Sequence, residues 1–168
     1  DESYSIAADK IEKIQLAYNN GTLQNFAKTT DQNVYADQDP VGFMEEQIYG
    51  VTEEFEKSTL RPVEDFQGSG NPMQISVRSK ARGKATNVQQ MGAAYGLVMV
   101  GGRRVRNGIE PTRVLAHYPK DSARPEHSGF IRSSYSSGME PDEYFLTSIG
   151  GRRSTVESGM GNISKSGY

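Results

Sequence analysis

The sequence predicts a mainly α fold with irregular connections: a helical hairpin, a short helix with loops and short strands, and a long C-terminal helix. Apolar residues recur at helical spacing near both ends of the chain, and turn-forming residues separate these stretches. Only 35% of the 168 residues are hydrophobic, 18 are glycine and none is tryptophan. This composition is lean for a free-standing core. We therefore expect a segment whose core is completed by other chains rather than an autonomous globular core; the alternative is a loosely packed domain.

The hairpin is predicted over residues 1–70. Over residues 4–20 apolar side chains recur every three to five positions, and the pattern ends at Gly21, a typical helix stop. Residues 29–40 are polar and rich in turn formers. A second helix is predicted over residues 41–58, with apolar residues on one side and acids on the other. Two helices joined by a polar loop favour an antiparallel pair.

A connecting region is predicted over residues 71–137, after a glycine- and serine-rich break at residues 67–72. Residues 77–84 are densely basic, and helical spacing follows over residues 85–97. Residues 101–137 contain several prolines and both histidines. We interpret them as irregular connections with short strands.

The last segment, residues 138–168, starts as a helix, with Pro141 in the first turn and acids around it. One helical face then carries Phe145, Ile149, Val156, Met160 and Ile163. Four glycines interrupt it: Gly150, Gly151, Gly159 and Gly161. Together they cost about 4 kcal/mol in a helix interior. A helix of ~43 Å that spans a cleft, with its backbone close to ligands or able to bend, would explain them.

The net charge of -2 conceals an asymmetry along the chain. Residues 1–66 carry 5 Lys or Arg against 14 Asp or Glu, a net charge of -9, whereas residues 67–168 carry 14 against 7, a net charge of +7. The functional interpretation is that the C-terminal part faces polyanions and the N-terminal part faces water or a protein. Chance clustering on a solvated surface is the alternative.

No catalytic constellation and no metal site is predicted. The absence of cysteine excludes disulfides, thiolate ligands and thiol nucleophiles. His117 and His127 lack further ligands at metal spacing, so a structural or exposed role is favoured. The glycine-rich stretches lack the other residues of phosphate and dinucleotide loops. Without a long apolar run or a signal segment, we expect an intracellular chain that does not span a membrane.

Residues 79–92 read Ser-Lys-Ala-Arg-Gly-Lys-Ala-Thr-Asn-Val-Gln-Gln-Met-Gly. They resemble the Ser-Gly-Ala-Arg-Gly-Ser element, and the Asn/Gln-x-x-Gln-Met helix after it, of the largest subunit of multisubunit DNA-dependent RNA polymerases. Residues 113–118, Arg-Val-Leu-Ala-His-Tyr, are similar to the family's Arg-Thr-Leu-Pro-His-Phe. Further matches follow in family order as far as Gly-Gly-Arg at 150–152 and Ser-Gly-Tyr at 166–168. The resemblance covers about residues 75–168 and is closer to archaeal and eukaryotic enzymes than to bacterial ones.

The resemblance implies that residues 1–70 form the funnel, residues 71–137 line the secondary channel and cleft, and residues 138–168 form the bridge helix behind the template base. The implied template-facing residues are Gly150, Gly151, Arg152, Arg153, Ile163, Ser164 and Tyr168. The residues implied to line the secondary channel are Arg78, Lys80, Arg82, Lys84, Gln89 and Gln90. The cations among them would attract phosphates whatever the base sequence of the nucleic acid. For Arg152 and Arg153, pairing with nucleic acid or another subunit is weighed against plain solubility.

The family's three-aspartate loop and trigger loop are absent from this sequence. The resemblance therefore implies no catalytic residue in this segment, which should be inactive alone, and Mg²⁺ bound in the assembled polymerase by residues outside it. The implied partners are the rest of the largest subunit, the second-largest and other subunits, the DNA template, RNA and nucleoside triphosphates, without a membrane. The alternative function is a non-catalytic nucleic-acid-binding module whose acidic hairpin docks a protein.

Several positions depart from the family pattern and suggest a viral, plasmid-borne or otherwise divergent polymerase. Lys80 replaces a usual glycine, and Arg153 falls where the family has glutamate. One extra residue before the terminal Ser-Gly-Tyr predicts a π-bulge near residues 159–161, and by spacing the family's Thr-Ala pair falls on Ile163 and Ser164. The family continues after Tyr168 with a basic run, so we expect an excised fragment, or else a subunit divided between genes.

Overall fold

The computed structural model describes residues 2–67, 70–105, 108 and 113–168, and it is mainly helical, as predicted. The helices in these residues are α1 (Glu2–Asn19), α2 (Thr30–Gln38), α3 (Pro40–Gln67), α4 (Pro72–Arg78), α5 (Ala85–Gly92) and α6 (Pro141–Gly167). The strands are β1 (Gly96–Leu97), β2 (Met99–Val100), β3 (Arg103–Arg104) and β4 (Phe130–Ile131). Short 3-10 turns lie at Leu23–Phe26 and Pro125–Ser128.

Helices α1 and α3 form the antiparallel hairpin that the periodicity predicts. The ring of Tyr4, near the start of α1, packs edge-on against Phe55, just past the middle of α3, with ring centroids 6.2 Å apart. Further along, Lys10 Nζ lies 2.9 Å from Glu54 Oε2. The apolar sides of both helices meet in one buried core. The predicted helical hairpin is therefore present.

Two helices differ from the prediction in this part of the chain. The stretch 29–40, predicted as a polar loop, contains α2, whose first turn is capped by the Thr29 side chain accepting from the Gln32 N–H at 3.3 Å. Helix α3 continues nine residues beyond the predicted end and includes Pro62. Val63, the residue after that proline, is buried, and this burial offsets the backbone hydrogen bond that proline removes.

The connecting region has one more helix than predicted and a shorter α5. Helix α4 begins at Pro72, where the Asn71 side chain accepts from the Met73 N–H at 2.9 Å. Helix α5 was predicted to reach residue 97, but it ends at Gly92. The chain there joins a ladder instead, since β1 pairs antiparallel with β4. The predicted short strands are present.

Strands β2 and β3 form a tight hairpin that turns at Gly101 and Gly102. Val100 pairs with Arg103, so only the two glycines lie in the turn. Their φ angles are +62° and +75°, which is the left-handed conformation that a type I′ turn requires at both central positions. Glycine adopts it without strain.

Strand β4 joins two apolar cores because its consecutive residues face opposite sides. Phe130 belongs to the core of the α1–α3 hairpin. Ile131 belongs to a second core under the start of α6, with Val98, Tyr118 and Leu146. The connecting region is thereby packed between the hairpin and the last helix.

Helix α6 begins with a capping box, in which the Glu140 side chain and the Glu143 side chain each accept from the other's backbone N–H. It continues to Gly167 as uninterrupted α-helix, so the π-bulge predicted near residues 159–161 is wrong. Its 27 residues make it about 40 Å long. Only its first turns contribute buried residues, and from residue 151 onward every residue is exposed except half-buried Gly161.

Candidate functional site

The loop between α4 and α5 is fixed by a complete Schellman motif at the end of α4. The Ala81 N–H donates to the Ser76 carbonyl and the Lys80 N–H donates to the Val77 carbonyl, both at 3.0 Å. The residue that closes this motif takes the left-handed conformation, which usually calls for glycine. Here that residue is Lys80, with φ +57°. Lys80 thus occupies a position where glycine would serve a conformational purpose.

The same loop presents four cations to solvent: Arg78, Lys80, Arg82 and Lys84. None of the four forms an ion pair with another residue of the described ranges. Helix α5 starts directly after Lys84, whose side chain does not cap it. Uncompensated like charges beside a helix N-terminus favour the approach of an anion.

The two glutamines predicted beside this loop differ in exposure. Gln89 is 2% exposed and faces the interior, so in this chain it does not contribute to an open surface. Gln90 is half-buried, and its carbonyl accepts from the Tyr135 N–H at 3.1 Å. The four cations, and not the glutamines, form the exposed part of the predicted channel residues.

Helix α6 leaves the body of the protein at the tip of the β2–β3 hairpin. A Cβ added to Gly150 would lie 3.3 Å from the Met99 carbonyl oxygen, so the backbones are in close contact. One turn later the guanidinium of Arg153 covers Gly101, where an added Cβ would lie 2.6 Å from Arg153 Cζ. Arg153 Nε also donates to Glu157 Oε1 at 2.7 Å. Arg153 therefore binds the hairpin tip and its own helix, which the sequence did not reveal.

Beyond this contact the remaining predicted residues of α6 lie on its exposed surface. Arg152 and Ile163 are eleven residues apart, and so are Arg153 and Ser164; at 3.6 residues per turn each pair falls nearly in line along the helix. Ile163 is 71% exposed, and Gly151 and Tyr168 are exposed as well. The predicted template-facing residues thus form adjoining rows along α6, and those beyond Arg153 lie on its exposed surface.

A cluster around Tyr118 connects the loops to the first turn of α6. The His127 ring stacks on Tyr118 with centroids 4.2 Å apart, and the His117 ring meets it edge-on at 4.6 Å. His117 Nε2 lies 2.8 Å from Asp142 Oδ2, and His127 Nδ1 lies 2.7 Å from Ser122 Oγ. Burial, with the Asp142 carboxylate, raises the pKa of Tyr118 to about 12. His127 thus packs on Tyr118, whereas His117 is exposed and contacts Asp142.

Burial and the nearby Arg124 lower the pKa of His127. The folded chain therefore binds fewer protons than the unfolded chain below about pH 6.5, the ordinary histidine pKa. We expect the contribution of His127 to stability to be complete above that pH and to be lost as the pH falls. Urea unfolding of the wild type and of His127→Phe, across this range, measures the effect. An equal loss of stability in the variant would contradict the assignment.

No group of three or more His, Asp or Glu side chains placed to hold a metal ion occurs in the part of the chain that the structure describes. Among the helices of residues 2–67, 70–105 and 113–168, none is both long enough and apolar enough to cross a membrane. These residues offer cationic and helical surfaces rather than a metal centre.

Comparison with known proteins identifies a family for this arrangement. The model of the family "RNA polymerase Rpb1, domain 4" matches residues 19–131. The chain is 30% identical over its full length to DNA-directed RNA polymerase subunit Rpo1N of Halobacterium salinarum, and it covers 16% of that protein. It is 30% identical to Rpo1N of Halococcus morrhuae, again over its full length and 45% of the relative. DNA-directed RNA polymerase III subunit RPC1 of Saccharomyces cerevisiae is 26% identical over the full chain and 11% of its own length.

The chain therefore spans less than half the length of each of these relatives. The likeness extends over all three parts of the structure, including the hairpin, where the sequence motifs were not distinctive. The family match starts at the end of α1 and continues through the basic loop and the β2–β3 hairpin to β4. This chain belongs to the family of the largest subunit of DNA-directed RNA polymerases.

Proposed function

We propose that this chain is a working part of a DNA-directed RNA polymerase, in which the hairpin and the basic loop form a wall of the secondary channel and α6 is the bridge helix. The observation that carries this proposal is the shape of α6. It is docked through its first turns and at the tip of the β2–β3 hairpin, and its remaining length is exposed. A helix of about 40 Å in that position is suited to crossing a cleft.

The glycines of α6 support the same role. An added Cβ at Gly151, Gly159 or Gly161 would meet no atom within 4 Å, so packing in this chain does not require them to be glycine. Each lowers helix stability by about 1 kcal/mol relative to alanine. Close approach of a nucleic acid backbone or a bend during the reaction cycle would explain why these residues lack side chains.

The basic loop supports the role of a channel for nucleoside triphosphates. Its four exposed cations have no carboxylate partners in the described residues, and phosphates are the anions that such side chains attract without regard to base sequence. Exposure of several cations on one short loop raises the local concentration of anionic substrates.

Catalysis would depend on the rest of the enzyme. The described residues contain no group of three carboxylates or histidines placed for a metal, whereas phosphoryl transfer by two metal ions requires such ligands. We infer that Mg²⁺ is bound by carboxylates outside this segment, and that the segment acts only with the remaining polymerase subunits, template DNA, RNA and nucleotides.

The glycines give the test of this proposal. Gly151→Ala and Gly159→Ala should each raise the free energy of unfolding of the chain by about 0.5–1 kcal/mol, because alanine favours the helix. The same variants, built into the assembled polymerase, should slow extension of RNA on a primed DNA template. Thermal unfolding and single-round elongation measure the two effects.

Gly150→Ala and Ser154→Ala are the matched controls. The new methyl of Gly150→Ala would lie 3.3 Å from the Met99 carbonyl oxygen, so it should not stabilise the chain as Gly151→Ala does. Ser154 is exposed on the same helix and should tolerate alanine in both assays. Normal elongation by Gly151→Ala and Gly159→Ala would count against α6 as the bridge helix. Tight, salt-sensitive binding of nucleic acid by the chain alone would instead favour a separate nucleic-acid-binding module.

A further inference from the structure

Lys80 has a backbone conformation that its side chain does not favour. Only two described non-glycine residues have positive φ, Lys80 at +57° and Asp121 at +55°. Aspartate is tolerated in this conformation because its short side chain bonds locally, whereas lysine has no such compensation. The left-handed position three residues later in the same loop is glycine, Gly83, with φ +85°.

The fold itself does not require a lysine at this position. The Schellman motif that ends α4 uses the backbone of residue 80, and glycine would close it without strain. The Lys80 side chain is exposed and forms no ion pair with another described residue. Strain of this kind persists where the side chain serves a function.

The neighbours of Lys80 indicate which function. Arg78, Arg82 and Lys84 are likewise exposed and lack carboxylate partners in the described ranges. Four like charges within seven residues repel each other, and a multiply charged anion removes that repulsion. The rigid end of α4 fixes the backbone from which Lys80 projects.

We propose that Lys80 is a dedicated phosphate-binding residue, kept in a strained conformation so that the loop presents a fourth cation to a chain of phosphates. The ligand is the triphosphate of a nucleotide or the backbone of a nucleic acid. This rests on the proposed function only in placing the loop along the secondary channel. Binding itself is a property of the loop.

The test is Lys80→Gly in the full chain, because this change removes strain and charge together. The melting temperature should rise by roughly 2–4 °C. The affinity for inorganic tripolyphosphate should fall roughly three- to tenfold. For an oligoribonucleotide, the slope of log affinity against log salt should become shallower by about one. Lys80→Arg should keep the affinity, and Lys13→Ala, which removes an exposed cation of α1, should leave it unchanged.

Unchanged tripolyphosphate affinity in Lys80→Gly would overturn the proposal, and so would a lower melting temperature, since the lysine would then be structural. Nucleotide and oligoribonucleotide titrations identify the source: one-to-one binding of a nucleoside triphosphate indicates a nucleotide site, and affinity that grows with oligonucleotide length indicates a backbone site. Loss of phosphate binding in Lys80→Gly together with normal elongation by the α6 glycine variants would reject the bridge helix and leave this proposal standing.

Discussion

Glu45→Ala should lower the free energy of unfolding by about 3–5 kcal/mol, because it leaves a buried guanidinium without its counter-charge. The Arg104 side chain is 3% exposed. Its Nη2 lies 2.9 Å from Glu45 Oε1, and its Nε lies 3.3 Å from both carboxylate oxygens. The carboxylate thus faces the guanidinium with both oxygens, an arrangement stronger than a single contact.

The contacts around Arg104 explain why loss of the Glu45 carboxylate would affect more than one segment of the chain. With its amide oxygen turned toward Arg104, Gln15 of α1 also accepts from that guanidinium, and it bonds the Ser128 hydroxyl at 3.0 Å. The network therefore joins α1, α3, β3 and the 3-10 turn before β4. Loss of one partner removes a constraint on all four segments.

Chemical denaturation of three variants tests the network. Lys57→Ala breaks an exposed pair with Glu53, 2.7 Å long, and should leave the denaturation midpoint unchanged because solvent screens that pair. Glu45→Leu combined with Arg104→Met should recover most of the stability, since buried pairs are often replaceable by apolar residues of similar volume. Equal midpoints for Glu45→Ala and Lys57→Ala would show that the buried pair contributes no more to the free energy of unfolding than the exposed pair does.

Phe130→Ala should also lower the free energy of unfolding by about 3–5 kcal/mol, through lost contacts and the cavity that remains. Phe130 is 1% exposed. Its ring stacks on Tyr4 at 4.9 Å and meets Phe55 edge-on at 5.3 Å. The Tyr4 hydroxyl donates to the Phe130 carbonyl at 3.0 Å, so the side chain and the backbone of one residue bind the hairpin.

Phe145→Ala is the matched control for Phe130→Ala. Phe145 is 50% exposed and lies at a cleft of 920 Å³ between α3, the β2–β3 hairpin and α6. The change should alter the stability of the chain by no more than about 0.5 kcal/mol. Equal destabilisation by both changes would contradict the described burial.

The long helices were predictable because each has an apolar face that repeats along many turns. Pro141 and the acidic residues of the capping box also predict where α6 begins. Helices α2 and α4 lack such a face and depend on single caps, Thr29 and Asn71. Capping residues such as threonine and asparagine are also common at turns. Without an apolar repeat at helical spacing, a cap therefore does not by itself indicate a helix.

The remaining differences come from contacts distant in sequence. Helix α5 ends early because the residues after it pair with β4, more than thirty positions away. Glu45 and Arg104 are 59 residues apart, so no local pattern shows that they meet. The cations of the basic loop were identifiable from composition, but the strain at Lys80 required the backbone.

Because α6 contacts the Met99 carbonyl at Gly150, a small change in its angle there would move its far end by a much larger distance. Tyr168 lies 18 residues beyond Gly150, about 27 Å along the helix, so a tilt of about 5° at the contact would displace the far end by about 2 Å. Because the capping box already nucleates the helix, a partner would not bear the entropy of forming it. The position of Tyr168 therefore depends on how closely the backbones of Gly150 and Met99 approach each other.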